Sequence, residues 1–285
     1  MQALGEARIS VEPPTVRTAA GAYRLAVATL CWREVVRFFR QRNRVIGALV
    51  QPLVFWLLLG GGFRGSFQPA SFPATMDYAE YFFPGTLVLV LLFTAIFSSM
   101  SLIEDRREGF LQSVLVAPVP RSGVVLGKVL GGTVLATAQA AAFLLLAFTV
   151  GIKPGAFGVV ATVALMGLLA FGLTAMGFAI AWRMDSTQGF HAIMSVVLMP
   201  MWLLSGAAFP AAGGPAWLRA VMTVNPLTYG VGGVRRLLYL GSPEALAGAD
   251  VPGPAICLAV TTAFAAAAFV GALLMAGRTT RGDLQ

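Results

Sequence analysis

The sequence predicts an all-α membrane protein with six transmembrane helices, and three observations carry that prediction. Of 285 residues, 58% are hydrophobic and only 11% are charged, against roughly 25% charged in an ordinary soluble domain. The charges bound long uncharged stretches, several of which reach the roughly 20 apolar residues that a bilayer-spanning helix needs. Lys and Arg fall mainly in alternate connections between those stretches. The same composition excludes a disordered chain, a collagen, a disulfide scaffold and an ordinary soluble enzyme.

Residues 1–20 carry Pro13-Pro14 and few large apolar groups, which predicts a flexible cytoplasmic tail. Residues 21–43 read as an amphipathic interface helix. Leu25, Ala28, Trp32, Val35, Val36 and Phe39 recur at three-four spacing, and Arg33, Arg37, Arg40 and Arg44 follow on a neighbouring face. Such a helix lies along the membrane surface with its arginines toward lipid phosphates and water. The six spans are predicted over 45–63, 81–103, 124–151, 155–182, 189–209 and 254–277, within a membrane domain of 44–277. Pro52 and Pro200 remove backbone donors inside spans one and five and are candidate kink or pathway positions.

Span five ends before Pro210 and the Gly213-Gly214-Pro215 breaker. The next uncharged run, Ala220–Val234, is too short to span and is interrupted by Asn225-Pro226. Segment 215–240 is therefore predicted as re-entrant half-helices on the extracytoplasmic side. Residues 278–285 form a cytoplasmic tail. Gly127 and Gly131 in span three, and Gly167, Gly172 and Gly177 in span four, are small residues that let helices approach closely, first of all within the chain.

Sidedness follows from the basic residues. Fifteen of the 20 Lys and Arg precede span one, lie between spans two and three or four and five, or follow span six. The other five are Arg64, Lys153, Arg219, Arg235 and Arg236. This bias predicts a multi-pass protein of the cytoplasmic (inner) membrane with both termini cytoplasmic. The net charge of +8 is then topology, and nucleic acid is not a predicted partner.

All twelve carboxylates fall outside the predicted spans, whereas ion-coupled transport needs a titratable group at membrane depth. One histidine, His191, and two cysteines, Cys31 and Cys257, make neither a metal site nor a disulfide framework. Gly60–Gly65 fits G-x-G-x-x-G but sits at the end of a hydrophobic span, and Gly123–Lys128 is one residue short of a phosphate-binding loop. No catalytic residue and no bound cofactor is predicted, so energy for any transport comes from a partner. Two alternatives remain: a non-transport regulatory or assembly protein on the same fold, and a lipid-modifying enzyme. The enzyme would need clustered acids or histidines at an interface, and only Glu104-Asp105 comes close.

Segment 104–121, between spans two and three, is the most informative. Glu104, Arg106, Arg107 and Glu108 make a charged cluster, and Phe110, Leu111, Val114 and Leu115 give a short amphipathic helix stopped by Pro118 and Pro120. Apolar residues exposed on a short helix with a charged rim predict docking into a partner's groove. The order of acid, Arg106-Arg107-Glu108-Gly109, aromatic and Leu111, then Ala117–Arg121 and Leu126-Gly127-Lys128, resembles the signature region of type-2 ABC exporter permeases. These include daunorubicin-resistance permeases and exporters of lipooligosaccharides and polysaccharides. Phe110 stands where that family commonly has threonine. The segments Asn225–Tyr229 and Val234–Leu238 and the N-terminal amphipathic helix resemble the same family.

The resemblance implies an ATP-driven exporter in which this chain is the permease. A second permease copy completes a homodimer, and a separate ABC ATPase subunit binds ATP and Mg. Segment 104–121 is then the coupling helix. The implied cargo is hydrophobic or amphipathic: a drug, a lipid or a lipid-linked glycan.

Overall fold

Ten α-helices and no strand account for the regular structure of the described residues. In this computed structural model the described residues are 19–63, 76–117, 119–212, 214–242, 246 and 251–277. Both predicted tails except Ala19 and Ala20, together with Arg64, Gly65, Pro118 and Gly213, lie outside them. The helices are α1 (Ala19–Arg40), α2 (Arg42–Gly62), α3 (Tyr78–Arg107), α4 (Phe110–Val116), α5 (Arg121–Leu144), α6 (Ala156–Ala181), α7 (Thr187–Trp202), α8 (Ala216–Val224), α9 (Pro226–Leu238) and α10 (Pro254–Gly277). A 3-10 turn, Leu145–Val150, extends α5, and a π turn, Leu203–Ala207, ends α7. Six helices are long and apolar enough to cross a membrane: α2, α3, α5 with its extension, α6, α7 with its π turn, and α10.

α3 is the central post. Phe82–Ala95 is buried on every side, the property of a helix apolar all round that is enclosed by its neighbours. α2, α5, α6 and α7 pack around it, and α10 closes the bundle against α6. α2 and α10 keep apolar side chains outward, among them Leu57, Leu58, Ile256 and Leu274. α2 runs unbroken through the buried Pro52.

One sequence expectation fails here. α3 continues past residue 103 to Arg107, so Glu80, Glu104 and Asp105 stand on the spanning helix itself. Charge does not end a helix when partners neutralise it. The helix stops instead at Gly109, whose φ of 75° a side chain resists. Arg106 and Arg107 in the last turn also suit the negative end of the helix dipole.

α1 lies along α5 because α5 presents glycines to it. A Cβ on Gly127 would stand 2.8 Å from Leu30 Cβ, and one on Gly131 would stand 2.6 Å from Glu34 Cβ. In α6, Gly167 faces Thr137, Gly172 faces Phe264 and Gly177 faces Ser99. These small residues serve packing within the chain. Gly131→Ala should therefore lower the thermal midpoint in detergent, since overpacking costs about 1–3 kcal/mol. Gly271→Ala meets nothing within 4 Å and carries the same gain in helix propensity, so it isolates the clash. Equal midpoints for the two variants would show that α1 is not held on α5 by close packing.

The π turn after α7 leaves backbone carbonyls without helical partners, and side chains from elsewhere satisfy them. Asn225 Nδ2 donates to Met201 O at 2.5 Å and Leu204 O at 2.9 Å. Tyr81 Oη and Arg235 Nη2 donate to Gly206 O at 3.0 and 3.3 Å, and Tyr78 Oη donates to Ala208 O at 2.8 Å. A bilayer offers no water for such groups, so an unwound turn needs protein donors. Gly206 takes φ 77°, and Gly85 has no Cβ because one would stand 2.6 Å from Ala207 Cβ. α8 and α9 thus cap the broken end of α7. α9 is inserted among α3, α6 and α10, with Gly230–Arg235 buried, and does not lie on the surface.

Candidate functional site

Four carboxylates and four cations meet where the end of α3 passes α1, α2 and α5. Asp105, 0% exposed, is the hub. Arg33 holds it with two parallel bonds, Nη1 to Oδ2 at 2.9 Å and Nη2 to Oδ1 at 2.7 Å. Arg37 and Lys128 Nζ also pair with it. Lys128 bridges on to Glu34 Oε1 at 2.7 Å, and Ser101 Oγ donates to Glu34 Oε2 at 2.5 Å. Arg37 further reaches Glu104 at 3.0 Å and Glu108 at 3.1 Å, and Arg44 pairs with Glu104. Each buried charge of this cluster has an opposite partner, the condition under which burial is tolerable.

The arginines therefore do not all point to lipid. Arg33, Arg37 and Arg44 turn inward to the acidic end of α3, and Arg40 stays exposed with no ion pair among the described residues. A carboxylate held away from water gains more from a guanidinium than a phosphate that stays hydrated. The apolar stripe of Leu25, Trp32, Val36 and Phe39 is exposed on the opposite side, while Leu30, Glu34 and Phe38 face the bundle.

Segment 104–121 also differs from expectation. Leu111 is 2% exposed, and Phe110, Val114 and Leu115 are partly buried against the core. The Arg33 guanidinium sits 3.5 Å from the Phe110 ring centroid, a cation–π contact. The left-handed turn at Gly109 folds α4 back against α3, so its apolar face serves this chain first. Val116, 87% exposed, is the large apolar residue α4 leaves uncovered. Arg106 and Arg107 form an anchor rather than a free rim. Arg106 donates to Met184 O at 3.1 Å, bonds Trp182 O and pairs with Asp185 at 3.2 Å, and Arg107 Nε donates to Asp185 O at 2.8 Å.

Sequence reasoning missed Glu34, Lys128, Asp185 and Val116 as site residues. A signal existed for two of them. Glu34 lies four residues from both Leu30 and Phe38 on an apolar stripe, and Lys128 is the only charge in 122–152. The one carboxylate of α1 and the one charge within 122–152 are opposite in sign and are expected to find each other. Only tertiary packing exposes Val116.

At the other end of the bundle, Tyr239 Oη donates to Glu80 Oε1 at 2.8 Å. Burial first, and then the Glu80 carboxylate, push the Tyr239 phenol well above its ordinary range, so it remains a donor. The exposed Pro200 lines an apolar recess of about 590 Å3 with Met201, Leu204, Val221 and Val224. Among the described residues no three His, Cys, Asp or Glu side chains are placed to hold one metal ion. The cluster ties α1, α2, α3 and α5 together, and α4 joins them through the Arg33–Phe110 contact.

The sequence of this block and of the capped break matches the ABC-2 type transporter family across residues 26–239. The chain belongs to that family. A protein named as a transport permease, ycf38, in Cyanophora paradoxa is 31% identical, covering 71% of this chain and 72% of its own. The daunorubicin resistance ABC transporter permease protein DrrB1 of Streptomyces coeruleorubidus is 22% identical over 75% of each chain. Nodulation protein J of Rhizobium meliloti is 25% identical over 86% of this chain and 90% of its own. The chain is thus a multi-pass membrane permease subunit of an ABC exporter, and an ABC-2 permease works with an ABC ATPase partner. The family match runs from α1 through α9, so the charge cluster, α4 and the capped π turn all fall inside it.

Proposed function

We propose that two copies of this ABC-2 permease form the export pathway of an inner-membrane transporter, with both termini cytoplasmic. Each copy docks one ATPase subunit, which binds ATP and Mg and performs the hydrolysis; this chain supplies no catalytic group. The observation that carries the reading is the buried ion network joining α1, α3 and α5, against which α4 rests through the Arg33–Phe110 contact. In this reading ATP-driven closure of the ATPases brings the two α4 segments together. A block whose charges cannot separate without desolvated, unpaired ions moves as a unit, and the bundles rock to switch access. α8 and α9 line the extracytoplasmic end as re-entrant half-helices. The cargo is hydrophobic or amphipathic, which is supported by the predominantly apolar spans and by relatives named for daunorubicin resistance and nodulation.

Reconstitution tests this. In proteoliposomes with its ATPase, the permease should move a fluorescent amphipathic drug or a lipid-linked glycan only with hydrolysable ATP. Single cysteines at positions 20 and 283, in a background without Cys31 and Cys257, should label only from the ATPase side, and one at position 70 only from the opposite side. ATP-independent movement, or labelling of position 20 from the side opposite the ATPase, would overturn the assignment.

A further inference from the structure

We propose that the groove between the end of α1 and the start of the coupling segment binds the headgroup of a phosphatidylethanolamine lipid. The groove has a volume of about 470 Å3 and is lined by Trp32, Arg33, Val36, Arg37, Arg40, Gln41 and Glu108. Its position is the level of lipid headgroups: Gln41 is the one non-helical residue between α1 and α2, and α2 is a spanning helix. Trp32, 69% exposed, and Val36 give the groove an apolar wall on the side that continues into the exposed stripe of α1.

Arg33 and Arg37 are committed to the ion network, which leaves three groups with capacity for a ligand, of which Gln41 Oε1 is the buried one. Arg40 is exposed and has no hydrogen bond or ion pair among the described residues. Gln41 Oε1 is buried and accepts nothing. Glu108 accepts from Arg37 through Oε1 only, with its side chain 59% exposed. One free cation and two free acceptors ask for a ligand that carries an anion and N–H donors together. A buried acceptor left without a donor is costly, so the demand at Gln41 is specific.

Phosphoethanolamine meets all three. Its phosphate pairs with Arg40, its ammonium donates to Gln41 Oε1 and to the remaining oxygen of Glu108, and its glycerol and acyl portion lies against Trp32 and Val36. Phosphatidylcholine has no N–H for Gln41. Phosphatidylglycerol has hydroxyl donors but no positive charge for Glu108, and hydrogen bonds with an ionised partner are roughly twice as strong as neutral ones. The inference needs the chain to sit in a bilayer and does not depend on export.

The test is native mass spectrometry of the purified full chain in detergent with an equimolar mixture of dioleoyl phosphatidylethanolamine, phosphatidylcholine and phosphatidylglycerol. The expected result is one retained phosphatidylethanolamine per chain, at least tenfold over phosphatidylcholine and several-fold over phosphatidylglycerol. Arg40→Ala should abolish the retention, and Gln41→Leu should remove the preference over phosphatidylcholine. The thermal midpoint of Arg40→Ala should stay close to wild type, because Arg40 is exposed and makes no hydrogen bond or ion pair among the described residues. Equal retention of phosphatidylethanolamine and phosphatidylcholine, retention of phosphatidylglycerol at or above phosphatidylethanolamine, or unchanged selectivity in both variants would each overturn the proposal. Because the readout is binding, a failure of transport would leave it standing.

Discussion

Asp105→Ala is expected to destabilise the permease by about 3–5 kcal/mol, the usual cost of removing one partner from a buried ion pair. The loss should be at the upper end, because three cations converge on this carboxylate and Lys128 is itself buried. Arg33, Arg37 and Lys128 would then share Glu34 and Glu104, leaving excess positive charge away from water. Glu108→Ala is the matched control. Its carboxylate is largely exposed, so its pair with Arg37 is worth about 0–1 kcal/mol. Thermal midpoints by fluorescence-detected gel filtration should fall sharply for Asp105→Ala and barely for Glu108→Ala. Similar midpoints would mean that the network is not the element holding α1, α3 and α5 together, and the rigid-block mechanism would go with it.

The second large effect separates folding from docking on one short helix. Leu111→Asp should unfold or deplete the permease. It loses about 1.5–3 kcal/mol of apolar burial and places a carboxylate where Leu111 is enclosed. Val116→Asp should leave the midpoint unchanged, because Val116 is 87% exposed among the described residues. If α4 docks on the ATPase, the charge should weaken copurification at least tenfold, a change of about 1.4 kcal/mol, and abolish substrate-stimulated ATP hydrolysis. The outcome that sinks the coupling role is a Val116→Asp permease that retains its ATPase and transports normally.

The two variants also mark where a reading of sequence reaches its limit. Spacing placed Phe110, Leu111, Val114 and Leu115 on one face of a short helix, and that face is real. Spacing cannot say which surface a face is applied to. Folding α4 back depends on the φ of Gly109 and on the ring of Phe110 finding Arg33, both of which are tertiary facts. The arginines of α1 illustrate the same limit. Their periodicity was plain, but whether they meet a phosphate or a carboxylate depended on where α3 ended. A charge-free run ends at Ile103, whereas the helix ends at Arg107.

What the sequence determined by itself is what the bilayer demands locally. Span length and apolar content fix six crossing helices, because every backbone polar group must be paired inside its own helix. The breaker at Asn225-Pro226 fixes the break between α8 and α9, whereas α7 already unwinds after Trp202, ahead of Pro210. Only the tertiary structure decided how the exceptions are accommodated. Asp105, Glu34 and Lys128 are affordable because three separate helices bring them together, and the unwound turn after Trp202 is stable because Tyr78, Tyr81, Asn225 and Arg235 arrive from elsewhere to cap it. Desolvated charges and freed carbonyls are satisfied over long sequence separations, and a local pattern holds no record of the partner.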